Sequence, residues 1–218
     1  MDIRLENLQV SYPGHSTPVV DIPSLTVAAG RQICLVGGSG SGKTTLLNTL
    51  AGIVLPTRGS VLYDDMDIAS LSEGRRDRFR AANVGYVFQT FNLLQGLSAM
   101  ENVAIAASFG GVKASEAKTR AKDLLERVNL GHRLDSRPGT LSVGEQQRVA
   151  IARAVINRPT VVLADEPTAN LDVENGDEVL ELLKETVREA HSILVLVTHE
   201  PRVQSHFDDV QVLSEISA

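Results

Sequence analysis

Hydrophobic and polar positions along this chain change period several times, and each change marks an element. Residues 3–12 alternate in the two-residue rhythm of a half-buried strand and run into a turn at residues 12–15. A second β-rich run, residues 19–27, closes at Ala29-Gly30, and residues 31–36 form a third, short and apolar. Residues 43–51 then switch to helical spacing, with Leu46, Leu47 and Leu50 on one side. Short strands are predicted at 58–63 and 84–88, the second ending in Gln89. Residues 91–100 are unusually apolar for a loop; they either pack a subdomain core or offer a partner a hydrophobic patch. The spacing predicts a helix over 114–128, with Ala114, Ala117, Ala121, Leu124, Leu125 and Val128 on one face. A further helix opens at 141–148 with Ser142 as N-cap and stops before Pro159. A buried-type strand over 160–166, a helix over 173–190, an apolar strand over 192–197 and a last strand over 208–213 complete the pattern. Strands alternating with helices predict an α/β fold with a mainly parallel sheet, and the two β-rich runs at the start predict a small antiparallel flap.

The 218 residues suit one α/β domain with a subdomain, and 43% hydrophobic content is enough for a core. The net charge of −6 gives no basic footprint, so no nucleic-acid partner is expected. The local run Arg75-Arg76-Asp77-Arg78-Phe79-Arg80 reads as a solvated helix face. A single cysteine, Cys34, sits in a predicted strand and reads as a buried small hydrophobe. The first residues lack the apolar core of a signal peptide, and no apolar run is long enough to span a bilayer. Work at a membrane would therefore need another chain to do the spanning.

The chemistry concentrates in Val36-Gly37-Gly38-Ser39-Gly40-Ser41-Gly42-Lys43-Thr44-Thr45. Gly37, Gly42, Lys43 and Thr44 fit the pattern G-x-x-x-x-G-K-[ST] between a predicted strand and a predicted helix. Glycines let the backbone curl so that successive N–H groups face a phosphate, and the following helix aims its positive end at the same point. Lys43 supplies a compact positive charge, and Thr44 supplies a hydroxyl for Mg²⁺, which prefers hard oxygen ligands. The residues predict a nucleoside triphosphate bound with Mg²⁺.

Other candidates fall at strand ends, where ligands gather in a parallel sheet. Asp165 would face Mg²⁺ through water, and Glu166 could polarise an attacking water. Gln89 could reach a metal or its water, or simply make a loop hydrogen bond. His199 follows the 192–197 strand and could contact a γ-phosphate. His15, His132, His191 and His206 have no such placement, and no zinc-type spacing occurs. Tyr12 could stack on a base or could be a partly exposed strand aromatic. Ser142 and Gly144 open a helix, a generic anion site that means little alone.

Taken together these pieces resemble the ATP-binding subunit of an ABC transporter over nearly the whole chain. Gly37–Thr45 resembles the Walker A loop, Gln89 the Q-loop, residues 141–146 the signature, 161–166 the Walker B strand, 170–172 the D-loop and His199 the switch histidine. Phe88-Gln-Thr-Phe-Asn-Leu-Leu, Glu101-Asn-Val and the run from Ala164 to Asp172 are similar to the branch of lipoprotein-releasing, macrolide-export and cell-division ATPases. The resemblance implies a P-loop NTPase (RecA-like) core, an N-terminal antiparallel β subdomain and an inserted helical subdomain at roughly 90–157. It implies ATP and Mg²⁺ as ligands, with Ser39, Gly40, Ser41 and Thr45 joining Gly37, Gly38, Gly42, Lys43 and Thr44 around the phosphates, and Tyr12 on the base. Thr44, Gln89 and Asp165 would serve the metal, and Glu166, His199, Lys43 and Gln89 the catalysis. Two copies would clasp ATP between the Walker A loop of one and Ser142 and Gly144 of the other. An integral membrane permease would be driven through the 91–100 region, with the chain peripheral on the cytoplasmic face.

Two positions, Val143 and Ala169, depart from the family pattern, and Glu145 is a known kind of variation within it. Val143 replaces a usual glycine and disfavours positive φ; Ala169 replaces a commoner glycine; Glu145 stands where glutamine is frequent. Three functions compete. One is a transport ATPase for export. The second is an ATP-driven signalling module of the cell-division type with no cargo. The third is a soluble P-loop enzyme, against which stands the lack of any Asn-Lys-x-Asp guanine motif.

Overall fold

The computed structural model describes residues 1–14 and 17–217. His15, the far end of the turn expected at 12–15, lies outside them. In chain order the elements are β1 (Ile3–Val10), β2 (Val20–Val27), β3 (Gln32–Val36), α1 (Lys43–Leu50), β4 (Arg58–Tyr63), β5 (Met66–Asp67), α2 (Glu73–Asn83), β6 (Val84–Val87), α3 (Ala99–Phe109), α4 (Ala114–Arg127), α5 (Val143–Val155), β7 (Val161–Asp165), α6 (Val173–Glu189), β8 (Ile193–Thr198), α7 (Pro201–Gln204), β9 (Val210–Val212) and α8 (Leu213–Ile216).

Two sheets form. The first is antiparallel, in the order β2-β1-β4-β5, and the second is parallel, in the order β6-β7-β8-β3-β9. In β3, Ile33 and Leu35 join a core that also holds Leu46, Leu47 and Leu50 of α1 and the inner residues of β1, Ile3, Leu5 and Leu8. Cys34 and Val36 point the other way, into a core with Val179, Leu183 and Val187 of α6. The central strands β3, β7 and β8 are therefore buried on both faces, which is why they read as continuous apolar runs instead of alternating. Strand order puts β3 beside β8 and β8 beside β7, so the carboxyl ends of all three meet on one edge.

A third core joins α3, α4 and α5 through Val103, Ala107, Ala117, Ala121, Leu125 and Val149. The sequence pattern did not reveal α3. Its apolar residues run nearly all round, broken only by Glu101, Asn102 and Ser108, and Asn102 is buried, so no helical period stands out. Of the two roles left open for the 91–100 stretch, packing a core is the one seen: Leu93 is buried in the helical core, and Leu94 is 48% exposed. The basic run lies in α2, and only part of it is solvated. Arg80 donates to the carbonyls of Ala51 and Gly52 behind α1, and Arg76 to that of Leu71. Cys34 is buried as expected, and burial, helped by the charge of Glu166, pushes its thiol up to about 12.

Candidate active site at the strand ends

The turn from β3 into α1 is tight enough to dictate its own residues. A Cβ at Gly37 would come within 2.4 Å of Ser41 Oγ, and one at Gly42 within 2.4 Å of the Val19 carbonyl. Gly42 also takes φ +89° as the N-cap of α1, a conformation closed to most L-residues. Gly37 N–H donates to Thr198 O at 3.3 Å, so β8 anchors the loop. The amides of Lys43, Thr44 and Thr45 stand in the first turn of α1, where no intrahelical acceptor exists.

Around this loop the candidate side chains converge. Lys43 is buried, and its Nζ donates to Gly37 O at 2.7 Å and Gly38 O at 2.9 Å. The same nitrogen lies 3.6 Å from Glu166 Oε1. Thr44 Oγ1 donates to Asp165 Oδ2 at 2.8 Å, joining the start of α1 to the end of β7. Burial raises the Asp165 pKa; the Thr44 hydrogen bond opposes that, the charge of Glu166 adds to it, and Lys43 opposes it again. Glu166 is buried and sits at φ 45°, an uncommon backbone state for a non-glycine residue. Its N–H bonds Val197 O, which fixes it to β8. Glu166 Oε1 lies 2.7 Å from His199 Nδ1, and Oε2 accepts the His199 N–H at 3.3 Å.

These groups wall a cleft of about 490 Å³ together with Ser39, Gly40, Ser41, Gly42, Thr45, Gln89 and Val19. Ser41 Oγ is buried and has no hydrogen-bond partner. An orphaned hydroxyl in a glycine-walled cradle fits an acceptor-rich ligand such as phosphate. The Thr44 and Asp165 oxygens, with the Gln89 amide on the same wall, are a hard donor set that fits Mg²⁺.

Not every expected ligand residue lines the cleft of this chain. Gly37 and Gly38 are not among its walls and give their carbonyls to Lys43 Nζ, and Ser142 and Gly144, expected to serve a second copy, stand apart. Tyr12 lies beyond the end of β1, 39% exposed, and is not among the cleft residues. Ser142 and Gly144 line a separate concavity with Asn129, His132, Glu145, Arg148 and Asn175. Ser142 caps α5 in a reciprocal box: its Oγ accepts from Glu145 N–H, and its own N–H donates to Glu145 Oε2. That box suits Glu145. Val143 is the first residue of α5 and has no positive φ, so the backbone freedom of glycine is not needed there. Among the cleft residues only Val19 went unforeseen; a carbonyl packed on a glycine leaves no mark in side-chain pattern.

The profile of the family described as ABC transporter matches residues 20–169. The chain belongs to that family. Lipoprotein-releasing system ATP-binding protein LolD of Shewanella frigidimarina is 45% identical over 193 residues, covering 88% of this chain and 81% of LolD. An uncharacterized ABC transporter ATP-binding protein of Mycobacterium tuberculosis is 44% identical over 203 residues, covering 92% of this chain. This ABC transporter chain spans only about 61% of the length of that mycobacterial protein. Among solved structures, the dimeric post-hydrolysis state of the ATP-binding cassette MJ0796, bound to ADP and Pi, superposes with a TM-score of 0.86 at 33% identity, covering 96% of this chain and 93% of the other. The core with mainly parallel sheet, the antiparallel N-terminal sheet and the helical insertion are thus an ATP-binding cassette fold.

Proposed function

We propose that this chain is the ATP-hydrolysing subunit of an ABC transporter, acting as one ATPase domain over residues 1–218. The observation that carries the reading is the meeting of Lys43, Thr44, Asp165, Glu166 and His199 around one glycine-walled cleft. Gly38, Ser39, Gly40, Gly42 and Thr45 cradle the phosphates through backbone amides and Ser41 through its hydroxyl, while Gly37, whose N–H is bonded to Thr198 O, lets the loop turn tightly beneath them. Lys43 exchanges its bonds to the loop carbonyls for phosphate oxygens. Thr44, Asp165 and Gln89 hold Mg²⁺, which when bound neutralises charge on the phosphates. Glu166 takes the proton of the attacking water, and His199, 2.7 Å away, keeps its carboxylate turned into the cleft.

Tyr12 packs on the base once nucleotide is bound. Ser142 and Gly144 complete the site of a second copy, which is why they stand apart from the cleft in a single chain. The pair drives a separate integral membrane permease, for export of lipoprotein, peptide or drug, from the inner face of the membrane. The names of the LolD relatives and the dimeric cassette support this. No helix among the described residues is long and apolar enough to cross a membrane, which fits a separate membrane-spanning chain.

The test is phosphate release by the purified protein with Mg-ATP. Glu166→Gln should lower kcat by about 10²–10⁴-fold, the range of a general base, while ATP still binds. Turnover by that variant at the parent rate removes Glu166 from the mechanism and the reading with it.

A further inference from the structure

Gln89 stands on a segment pinned at two points. Asn170, ahead of α6, donates Nδ2 to the Gln89 carbonyl at 2.7 Å. Beyond Gln89, Phe91 and Asn92 both take left-handed backbone angles, φ 59° and 48°. Asparagine tolerates that region, but for a bulky phenylalanine it is strained. Such a pair keeps its shape only where the surroundings impose it.

The turn closes on itself through Phe91 N–H to Phe88 O and Asn92 N–H to Thr90 O, and the group that holds it from outside is Arg153 of α5. Its Nη1 donates to Asn92 O and its Nη2 to Phe91 O, each at 2.6 Å. One planar fork thus serves two successive carbonyls, which the single ammonium of lysine does not reproduce. Asp77, the carboxylate on the same groove, pairs with Arg80 instead. The Arg153 charge is therefore directed at backbone.

We propose that Arg153 is a positioning residue for ATP hydrolysis: its fork holds Phe91 and Asn92 in their left-handed turn and so sets where Gln89 stands in the cleft. This rests on the reading of the cleft given above. The consequence is a mechanical link. Helix α5 begins at the Ser142–Gly144 end proposed to meet a second copy, and Arg153 lies near its other end. Arg153, Asn92 and Leu94 also line a groove of about 570 Å³ edged by Phe109, so displacement of α5 or pressure in that groove reaches Gln89 through the same two hydrogen bonds.

Two measurements on the full chain test this. Hydrogen exchange followed by mass spectrometry should show residues 88–94 exchanging several-fold faster in Arg153→Lys, with α1 unchanged. Arg153→Gln, which keeps a single donor nitrogen and loses the fork, replaces it if the lysine variant melts early. In steady-state assays the variant should keep its KM for ATP and lose roughly tenfold in kcat, equivalent to about 1.4 kcal/mol in the barrier. Combined with Gln89→Ala, it should slow the reaction no further than Gln89→Ala alone, because both changes act through one side chain. Unchanged exchange in 88–94, or losses that multiply in the double variant, overturns the proposal. Absence of ATPase in the parent protein instead overturns the proposed function, and the exchange experiment still decides whether the fork holds the loop.

Discussion

Asp165 shows how burial shapes a single residue. Its carboxyl is pushed above the ordinary range chiefly by burial. A folded-state pKa above the unfolded one means the folded protein binds the proton more tightly, so the ionised group opposes folding at neutral pH. That penalty disappears as pH falls below the unfolded value of about 4. Asp165→Asn should therefore raise the melting temperature at pH 7–8, by about 2–4 °C for each kcal/mol relieved, with the gain fading toward acid pH. The same change should abolish Mg²⁺-dependent turnover. Equal melting temperatures across the pH range would show that burial of this carboxylate costs nothing. Gly42 is the opposite case, fixed by space. Gly42→Ala must place Cβ 2.4 Å from Val19 O at φ +89°, and we expect a loss of about 1–3 kcal/mol and of nucleotide binding, read by chemical denaturation and by titration. The glycine and Lys-Thr positions were legible in the sequence because their chemistry is local. Arg153 was not, because its partners lie 61 and 62 residues away.

Among the elements, helices differ in how plainly they announce themselves. Helix α4 carries a clear apolar stripe, and α5 starts at a serine with glutamate three residues on. Helix α3 has its own capping box, Ser98 with Glu101, but its apolar surround hid it. Asn102 explains how it is held. The fully buried amide accepts from Leu94 N–H and donates to the carbonyls of Leu94, Leu97 and Ser98. Asn102→Ala would leave Leu94 N–H and the Leu97 carbonyl unpaired, the Leu94 and Ser98 carbonyls keeping backbone donors, with an expected loss of about 3 kcal/mol and loosening of the 94–98 segment. Hydrogen exchange that leaves this segment as protected as before would argue that α3 is fixed by packing alone. Ser142→Ala removes one cap acceptor from α5, for about 1 kcal/mol in stability.

At the scale of the molecule, the fold separates tasks. The parallel sheet gathers Asp165, Glu166 and His199 at one edge, the antiparallel sheet shares the core under α1, and the helical unit carries Ser142 and Arg153. Strand–helix alternation made the sheet class legible, and the ordered motifs made the family legible. That Ser142 and Gly144 stand apart from the cleft of their own chain agrees with the resemblance, which implied that they serve a second copy; hydrophobic pattern alone did not carry it, since it is a relation between cores distant in sequence. The account requires a second copy to close that gap. The most direct measurement is sedimentation velocity of Glu166→Gln with and without Mg-ATP. We predict a monomer without nucleotide and a species of twice the mass with it, lost again when Ser142→Arg is added. A single monomeric species under saturating Mg-ATP would contradict the shared nucleotide site on which the proposed function depends.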